Sequence, residues 1–255
     1  MQNFEMQGFT WQAKRKYQQD AILFHHQVIS NKQQATTLCQ FSASEAWQIA
    51  VADGVGSKIN SDLAAISILE LLEQHVESHH NDPALSTLQT QLAKHLSAND
   101  IDKASTTLAS ITYQPNHDGA VNLQSLGDSR IYYFSAQNQL WQCLTQDDIL
   151  GNQIKFSVLD AKKELGSRYY ALTGFFSADA KHQVKDKAPI RHILQPNDAL
   201  LVCSDGVYNA LCASDWPLLQ AHDHLTDWIK AFAKQLAVKA HDNLSFIIVR
   251  CIDRP

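Results

Sequence analysis

Apolar, strand-like runs that lie far apart in the chain lead into aspartates, several of which adjoin a glycine. Aspartates at strand ends can project into one cleft, and glycine lets the backbone turn sharply and approach a ligand. Any one such site, taken alone, is more simply explained as a turn, because Asp-Gly is a very common turn dipeptide. Their recurrence favours a shared site. The runs are 48–52 before Asp53-Gly54, 121–126 before Gly127-Asp128, 199–203 before Ser204-Asp205-Gly206, the last strand after Asp242, and an early strand that starts near Asp20.

If these carboxylates converge, they need a cation between them. Their mutual repulsion in one cleft would raise their pKa values unless a positive charge lies among them. Ligand sets made of oxygen suit hard divalent ions, so Mg²⁺ or Mn²⁺ is more natural here than Zn²⁺ or copper. Two such ions about 3.5–4 Å apart would activate a bridging water and clamp a phosphoryl group.

Hydrophobic periodicity predicts an α+β fold. Strand-like runs fill the first third of the chain, two helical segments follow, and strands return before more helices and a final strand. This order favours a layered domain with largely antiparallel sheets over a regularly alternating parallel one. No repeat or linker divides the 255 residues, so we expect one domain. The predicted strands are 8–13, 21–29, 35–41, 47–52, 105–113, 120–126, 130–134, 140–144, 199–204 and 244–252, with a hairpin turn at 30–34. The predicted helices are 61–77, 84–97, 148–155 and one or two within 214–237.

Composition excludes several classes of protein. The formal net charge is -5, charged residues make up 18%, and no stripe of lysine and arginine is present. We therefore expect no nucleic-acid or membrane partner, since both are bound through clustered positive charge. No apolar run approaches the ~20 residues that cross a bilayer, and the first seven residues lack the pattern of a secretion signal. Five widely spaced cysteines predict reduced core thiols in a cytoplasmic protein, and neither disulfides nor a zinc site: Cys39, Cys143, Cys203, Cys212 and Cys251.

Histidines and familiar catalytic motifs give no alternative site. Adjacent histidines on a strand, as expected for His25-His26, point to opposite faces and cannot simply share one metal ion. His79-His80 and the histidines of 222–224 are expected on solvated surfaces. The chain has no Gly-x4-Gly-Lys phosphate loop, no Gly-x-Ser-x-Gly elbow and no His-Glu-x-x-His motif, so hydrolases of those kinds lack their signatures here.

Short motifs, most of them built around an aspartate, follow one another along nearly the whole chain: Arg15-x3-Gln19-Asp20, Asp53-Gly54-x-Gly56, Ala104-Ser-Thr106, Gly127-Asp128-Ser-Arg130, Leu144-Thr145-x-Asp147, Ser204-Asp205-Gly206 and Asp242-Asn243-x-Ser245. In this order they resemble the metal-dependent Ser/Thr protein phosphatases of type 2C, at the compact size of bacterial members. The ordered set is specific, although no single motif is. The resemblance implies a four-layer α/β/β/α sandwich, in which two antiparallel β-sheets are flanked by antiparallel helix pairs and the metals lie at one end.

The resemblance also implies which residues bind the metal ions. Asp53 would bridge two ions, and the carbonyl of Gly54 would bind the second of them. Asp205 and Asp242 would hold the first ion. Asp128 would hold a weaker third ion that shares Asp205. These assignments place every principal ligand on a residue that the aspartate pattern had already indicated.

The same resemblance gives roles to the residues around the metals. Arg15 would bind the substrate phosphate, a role suited to its bidentate guanidinium group. Asp20 would act on the metals through water, beside Gln19, and Asn243 would lie just behind the ligands. The segment 147–167 would be a flap subdomain, the most variable part of such enzymes and a candidate for substrate choice.

The activity that the resemblance implies is hydrolysis of phosphoserine and phosphothreonine in proteins by a water activated by Mn²⁺ or Mg²⁺. The protein would act as a cytoplasmic monomer and oppose a partner Ser/Thr kinase. Val55 replaces a histidine proposed as general acid in many eukaryotic members, and Ser57 replaces a second glycine, but no principal metal carboxylate is lost. An active enzyme is therefore favoured over a non-catalytic phosphoprotein-binding sensor of the same fold. A haloacid-dehalogenase-like phosphohydrolase would need an early Asp-x-Asp pair, which the run into Asp53 does not offer.

Overall fold

Two β-sheets packed face to face form the centre of the computed structural model, which describes residues 2–56, 60–79, 82–115, 119–153, 158–221 and 224–253. The strands are β1 (Gln2–Trp11), β2 (Asp20–Phe24), β3 (Gln27–Ile29), β4 (Gln33–Ala35), β5 (Cys39–Ser42), β6 (Trp47–Asp53), β7 (Ser105–Thr106), β8 (Leu108–Tyr113), β9 (Ala120–Leu126), β10 (Arg130–Ser135), β11 (Leu140–Cys143), β12 (Phe176–Ser177), β13 (Ile190–Ile193), β14 (Ala199–Cys203) and β15 (Leu244–Asp253). The helices are α1 (Ser61–His79), α2 (Leu85–Ala98), α3 (Leu150–Gln153), α4 (Val158–Leu165), α5 (Asp205–Ala210) and α6 (Leu225–Lys239). Short 3₁₀ helices lie at Gly166–Tyr170, Ala213–Asp215 and Leu219–Ala221.

The strand order separates the chain into two antiparallel sheets. Sheet 1 has the order β11-β10-β14-β15-β1-β4, and β5 also pairs with β1. Sheet 2 has the order β13-β9-β8-β6-β2-β3, while β7 and β12 form a small pair of their own. Each pairing between described strands is antiparallel. β1 and β15 pair along their whole length, so the first and last strands of the chain stabilise each other inside sheet 1.

Alternation of side chains buries both faces of the central strands. In β6, Ile49 and Val51 enter the core between the sheets, whereas Ala50 and Ala52 face the helices outside sheet 2. Small side chains on that outer face let a helix approach the sheet closely. The core between the sheets includes Phe4, Met6, Ile22, Ile111, Val202 and Ile247.

Helices cover both outer faces and complete four layers. α1 and α2 pack on sheet 2 through residues such as Ile68 and Leu88. α6 packs on sheet 1 through Trp228 and Phe232, and is accompanied there by the short α5. The predicted α/β/β/α sandwich with two antiparallel sheets is therefore confirmed. None of the helices in the described part of the chain combines the length and the apolar content that a membrane-spanning segment needs.

The clearest local error of the sequence analysis concerns residues 21–29. They form two strands, β2 and β3, joined at His25 and His26, whose φ angles are 48° and 62°. Both histidines therefore lie at an exposed turn, and not on a strand as predicted. Two successive left-handed residues make a tight hairpin turn that is normally signalled by Asn-Gly. The segment 30–34, predicted as the turn, instead leads into β4.

The region after residue 147 also departs from expectation. The helix predicted at 148–155 is the short α3, and residues 154–155 lie outside the described ranges. α4 and the edge strand β13 were not predicted. Ser57, His80 and His222 likewise lie outside the described residues.

The cysteines are free thiols, as predicted, but they are not all in the core. Cys203 and Cys251 are buried, whereas Cys143 and Cys212 are exposed. Cys143 lies on β11, which is the edge strand of sheet 1, and Cys212 follows α5 in a loop. Apolar neighbours in sequence thus did not suffice to predict burial at an edge or in a loop.

Candidate active site

Strand register brings Asp20 and Asp53 together at one end of sheet 2. Asp20 begins β2, Asp53 ends β6, and the two residues are direct partners in the antiparallel pairing. Ile22 and Val51, two positions further along each strand, lie in the core between the sheets. Because side chains alternate along a strand, the two aspartates belong to the same inner face. They therefore lie where the apolar core ends.

Asp205 and Asp242 lie next to the ends of two neighbouring strands of sheet 1. Asp205 begins α5 after β14, and Asp242 precedes β15, the neighbour of β14. A Cβ atom at Gly206 would overlap the carbonyl oxygen of Asn243. Glycine is needed here so that the two loops can approach each other, which goes beyond the turn-forming role that Asp-Gly usually has.

Gly54 serves a comparable purpose in sheet 2. Its N–H donates to the carbonyl of Gln19 at 3.1 Å. A Cβ atom at Gly54 would lie 2.7 Å from the carbonyl oxygen of Ser61 and 2.9 Å from that of Gln19. The backbone of Asp53 is also fixed from the other side, because Thr107 N–H donates to the Asp53 carbonyl at 2.9 Å and the Thr107 hydroxyl accepts from Asp53 N–H at 3.2 Å.

Asp128 lies in the loop that crosses from β9 in sheet 2 to β10 in sheet 1. The preceding Gly127 has a φ of 109°, in the left-handed region, and a Cβ atom there would lie 2.6 Å from Thr107 Cγ2. The hydroxyls of Thr107 and Ser129 are hydrogen-bonded at 2.7 Å. The hydroxyl of Tyr208, on α5, donates to the Asp128 carbonyl at 2.9 Å. These hydrogen bonds connect the Asp128 loop to Thr107, which is bonded to Asp53, and to α5, which begins with Asp205.

A cavity of about 100 Å³ opens where these loops meet, and every candidate site residue except Asp20 lines it. The carboxylates of one sheet therefore face those of the other across a shared space. The candidate residues in the lining are Arg15, Gln19, Asp53, Gly54, Asp128, Asp205, Asp242 and Asn243.

Asp20 lies behind the cavity and is only 1% exposed. Its Oδ2 atom accepts a hydrogen bond from the Ser204 hydroxyl at 2.7 Å. The Ser204 oxygen in turn accepts from Ser245 N–H at 3.0 Å, and the hydroxyls of Ser245 and Thr10 are 2.8 Å apart. Asp20 belongs to sheet 2, Ser204 directly follows β14, and Ser245 and Thr10 lie on strands of sheet 1, so this buried chain of polar groups joins the two sheets.

Burial, with repulsion between neighbouring carboxylates, raises the pKa values of the acidic groups. Desolvation is the largest cause in each case, and it raises the pKa of Asp20 and of Asp128 to about 7. The pKa of Asp53 lies well above its usual value, because burial adds to repulsion from Asp20, Asp205 and Asp128. The pKa of Asp205 is also raised, and its carboxyl group is hydrogen-bonded to that of Asp53. The cluster thus retains protons near neutral pH unless a cation replaces them.

Arg15 and Asp242 form a bidentate ion pair at the cavity. Arg15 Nε donates to Asp242 Oδ1 at 2.5 Å, and Arg15 Nη2 donates to Oδ2 at 2.7 Å. Both side chains are partly exposed, at 45% and 36%. The residue expected to bind phosphate therefore contacts a residue expected to bind metal.

Asn243 holds the loop that carries Arg15. Its amide nitrogen donates to the carbonyls of Gln12 and Tyr17 at 2.9 and 3.0 Å, and its amide oxygen accepts from Gln19 N–H at 2.8 Å. Asn243 is 4% exposed, so these bonds are shielded from water. The loop 12–19 is in this way fixed to the residue next to Asp242.

The donor atoms around the cavity fit hard divalent cations. Carboxylate oxygens of Asp53, Asp128, Asp205 and Asp242, with the backbone of Gly54, supply the oxygen ligands that Mg²⁺ and Mn²⁺ prefer. The raised pKa values point the same way, since this concentration of acids calls for a compensating cation. Among the residues that the structure describes, no three acidic, histidine or cysteine side chains enclose a single site.

Two residues that line the cavity were not predicted from the sequence. Thr107 and Leu172 line it, and Leu172 also forms an isolated antiparallel bridge with Ile149. Neither has a local sequence signal, because each reaches the site through long-range pairing. Tyr208, which is bonded to the Asp128 loop, could have been found from the sequence. It follows Asp205 by three positions, a spacing that places both side chains on one side of a helix.

Solved structures of similar fold cover nearly the whole chain. The S. agalactiae serine/threonine phosphatase has 17% identity and a TM-score of 0.72, covering 98% of this chain and 100% of that one. PppA, a regulatory component of the T6SS in Pseudomonas aeruginosa, has 16% identity and a TM-score of 0.69, covering 98% of both chains. The catalytic domain of the serine threonine protein phosphatase PstP, solved with two manganese ions, has 14% identity and a TM-score of 0.70, covering 99% and 100%. These likenesses show the fold.

Sequence comparison identifies the family. No curated protein matches the chain significantly. The family model described as Protein phosphatase 2C, however, matches residues 24–245. This range contains the four aspartates of the cavity and leaves out Arg15 and Asp20. A match over most of the chain, together with the fold, shows that the chain belongs to the protein phosphatase 2C family.

Proposed function

We propose that this protein is a Ser/Thr phosphoprotein phosphatase that depends on Mn²⁺ or Mg²⁺. The observation that carries the proposal is the cavity in which four carboxylates from two sheets meet one guanidinium group. Metal ions would occupy the space between the carboxylates, and the guanidinium would bind a phosphate group. Membership of the protein phosphatase 2C family supports the same activity.

The acidic residues of the cavity and Gly54 would bind metal ions, and Arg15 would bind the substrate. Asp53 would bridge two ions, Asp205 and Asp242 would complete the first site, and the Gly54 carbonyl would serve the second. Asp128 would hold a weaker third ion. Metal ions held by these residues would supply an acidic water molecule as the nucleophile for phosphoryl transfer.

Arg15 would bind and orient the phosphoryl oxygens with its two parallel N–H groups. It can do so only after it releases Asp242, which it holds in the structure. Asn243 and Gln19 keep the Arg15 loop in place through the hydrogen bond between them. Asp20 lies behind the cavity and accepts a hydrogen bond from Ser204, the residue before Asp205. It is proposed to act on the metal ions through water.

We propose a single domain that acts as a cytoplasmic monomer on phosphorylated protein, opposing a cognate Ser/Thr kinase. The segment 147–167 is proposed as the flap that selects the substrate. Two cavities of about 300 and 370 Å³ border its first residues, which leaves room there for a peptide chain.

Hydrolysis of p-nitrophenyl phosphate and of a phosphothreonine peptide, with Mn²⁺ and with chelator, tests this proposal. Wild type should be active only with metal. Asp205→Asn should lose at least about 10- to 100-fold, since even partners behind metal ligands have effects of that size. Asp227→Asn, an equivalent change at an exposed position on α6, should retain wild-type activity.

Turnover that persists in chelator, or that Asp205→Asn leaves unchanged, would refute the phosphatase assignment. Tight binding of the phosphopeptide without turnover at saturating Mn²⁺ would instead favour the non-catalytic sensor.

A further inference from the structure

Arg130 is the centre of a polar cluster beside the cavity. Its Nε and Nη2 atoms donate to Asp147 Oδ1 and Oδ2 at 2.8 and 2.6 Å, and its Nη1 atom donates to the Tyr132 hydroxyl at 3.1 Å. The guanidinium carbon lies 3.6 Å from the centre of the Tyr208 ring. The side chains of Arg130 and Asp147 are 27% and 11% exposed, so the pair is well shielded from solvent.

Tyr208 connects this cluster to two of the carboxylates. Its hydroxyl donates to the backbone carbonyl of Asp128 at 2.9 Å. It also lies one turn after Asp205 on the same short helix, α5. The position of the ring is fixed on one side by Arg130, which Asp147 in turn holds.

We propose that Tyr208 and Arg130 are positioning residues, which fix the Asp128 loop relative to Asp205 so that the two carboxylates can share a divalent cation. The inference rests on the proposed function and deepens it. Asp128 lies in the loop between β9 and β10, whereas Asp205 begins α5, which follows β14. The two residues therefore belong to different backbone segments. The hydrogen bond from the Tyr208 hydroxyl to the Asp128 carbonyl connects those segments directly.

The stacked guanidinium explains why these residue types occur together. A planar cation over an aromatic face is attracted to the ring, and the same plane can pair with a carboxylate in a bidentate manner. Arg130 uses both properties at once, on Tyr208 and on Asp147. A lysine at this position could keep the charge but could not supply both contacts. The two substitutions Tyr208→Phe and Arg130→Lys therefore remove different parts of the same support.

Mn²⁺ binding isotherms, measured by calorimetry on the full chain, provide the test. Tyr208→Phe should weaken the weakest Mn²⁺ site by about 3- to 10-fold, the range expected for one lost hydrogen bond. Arg130→Lys should weaken it at least as much. Tyr133→Phe is the matched control, because it also removes a tyrosine hydroxyl bond, to Asp198 at 2.7 Å, without touching the cavity.

A double-mutant cycle with Asp128→Asn separates positioning from general stability. If Tyr208 acts through Asp128, Tyr208→Phe should have no further effect on Mn²⁺ binding in the Asp128→Asn background. An equal effect in both backgrounds, or unchanged Mn²⁺ binding by Tyr208→Phe and Arg130→Lys, overturns this inference and leaves the phosphatase assignment intact. A wild-type protein that binds no Mn²⁺ overturns both.

Discussion

Asp20 and Asp53 lie directly opposite each other on neighbouring antiparallel strands, so two acidic groups face each other at one end of sheet 2. Opposed like charges destabilise a strand pair, and protonation relieves the repulsion. The pKa of Asp20 is accordingly about 7 and that of Asp53 is well above its usual value. The folded protein thus holds protons that an unfolded chain, with aspartate pKa values of about 3.9, releases.

Stability of the metal-free protein should fall as pH rises from about 4 to about 7, because the folded state binds more protons throughout that window. We expect the Tm in chelator to drop by roughly 5 °C or more between pH 5 and pH 8. Asp20→Asn should show a smaller drop. The difference between the two proteins isolates Asp20 from His192, whose lowered pKa acts in the opposite direction. An equal drop in wild type and in Asp20→Asn would show that Asp20 is already ionised in the fold at pH 5.

Divalent metal should reverse this destabilisation, since a cation between the carboxylates replaces the protons. At pH 7.5, Mn²⁺ at about 100 times its Kd should stabilise the fold by about 2.7 kcal/mol, which corresponds to roughly 5–10 °C in Tm. Asp53→Asn should lose most of this gain, whereas Asp227→Asn should keep it. Thermal unfolding with Mn²⁺ and with excess chelator measures both. An equal Mn²⁺ shift in Asp53→Asn would remove that residue from the metal site.

Arg15→Ala should separate substrate binding from metal binding. Loss of a charge-assisted bidentate contact should raise KM for a phosphothreonine peptide by about 10-fold or more. Mn²⁺ affinity should stay the same or rise, because Asp242 no longer has a competing partner. Lys14→Ala, in the same exposed loop, is the control for a lost positive charge. The phosphate-binding role is wrong if Arg15→Ala instead shows a large loss of Mn²⁺ affinity.

Gly206→Ala should disrupt the site through the backbone. The new methyl group would overlap the Asn243 carbonyl, so the loops of Asp205 and Asp242 must separate. We expect a loss of about 1–3 kcal/mol in stability together with loss of Mn²⁺ binding. Gly166→Ala is the comparison: its φ of 55° makes alanine unfavourable by about 1–2 kcal/mol, but no atom lies within 4 Å of the new methyl. Calorimetry should find Mn²⁺ binding intact in Gly166→Ala, and intact binding in Gly206→Ala would contradict the steric argument.

The fold was predictable where periodicity and pattern agree. Alternation over residues 120–126 gave β9 its observed bounds, and helical spacing gave the start of α1 at Ser61. The turn at His25 and His26 was not predicted, because the sequence has no Asn-Gly or Asp-Gly signal there. The pairing of β2 with β3 places both histidines in the left-handed region.

The site was predictable in its residue types but not in their arrangement. Glycines beside Asp53 and Asp205 signalled close backbone approach, which the structure bears out sterically. The sequence does not show that Asp20 lies behind the cavity. There it accepts a hydrogen bond from Ser204, which is 184 positions away in sequence. The ion pair between Arg15 and Asp242 is equally long-range, so no local pattern reports it.

The carboxylates that line the cavity are divided between the two sheets, and this division has a consequence for folding. A collapsed intermediate in which each sheet has formed without docking on the other would hold Asp53 and Asp205 apart. Such a species would carry two incomplete halves with little attraction for a cation. The gain of Mn²⁺ affinity would then report the docking of one sheet on the other. Measuring Mn²⁺ binding during refolding would give the rate of that last step.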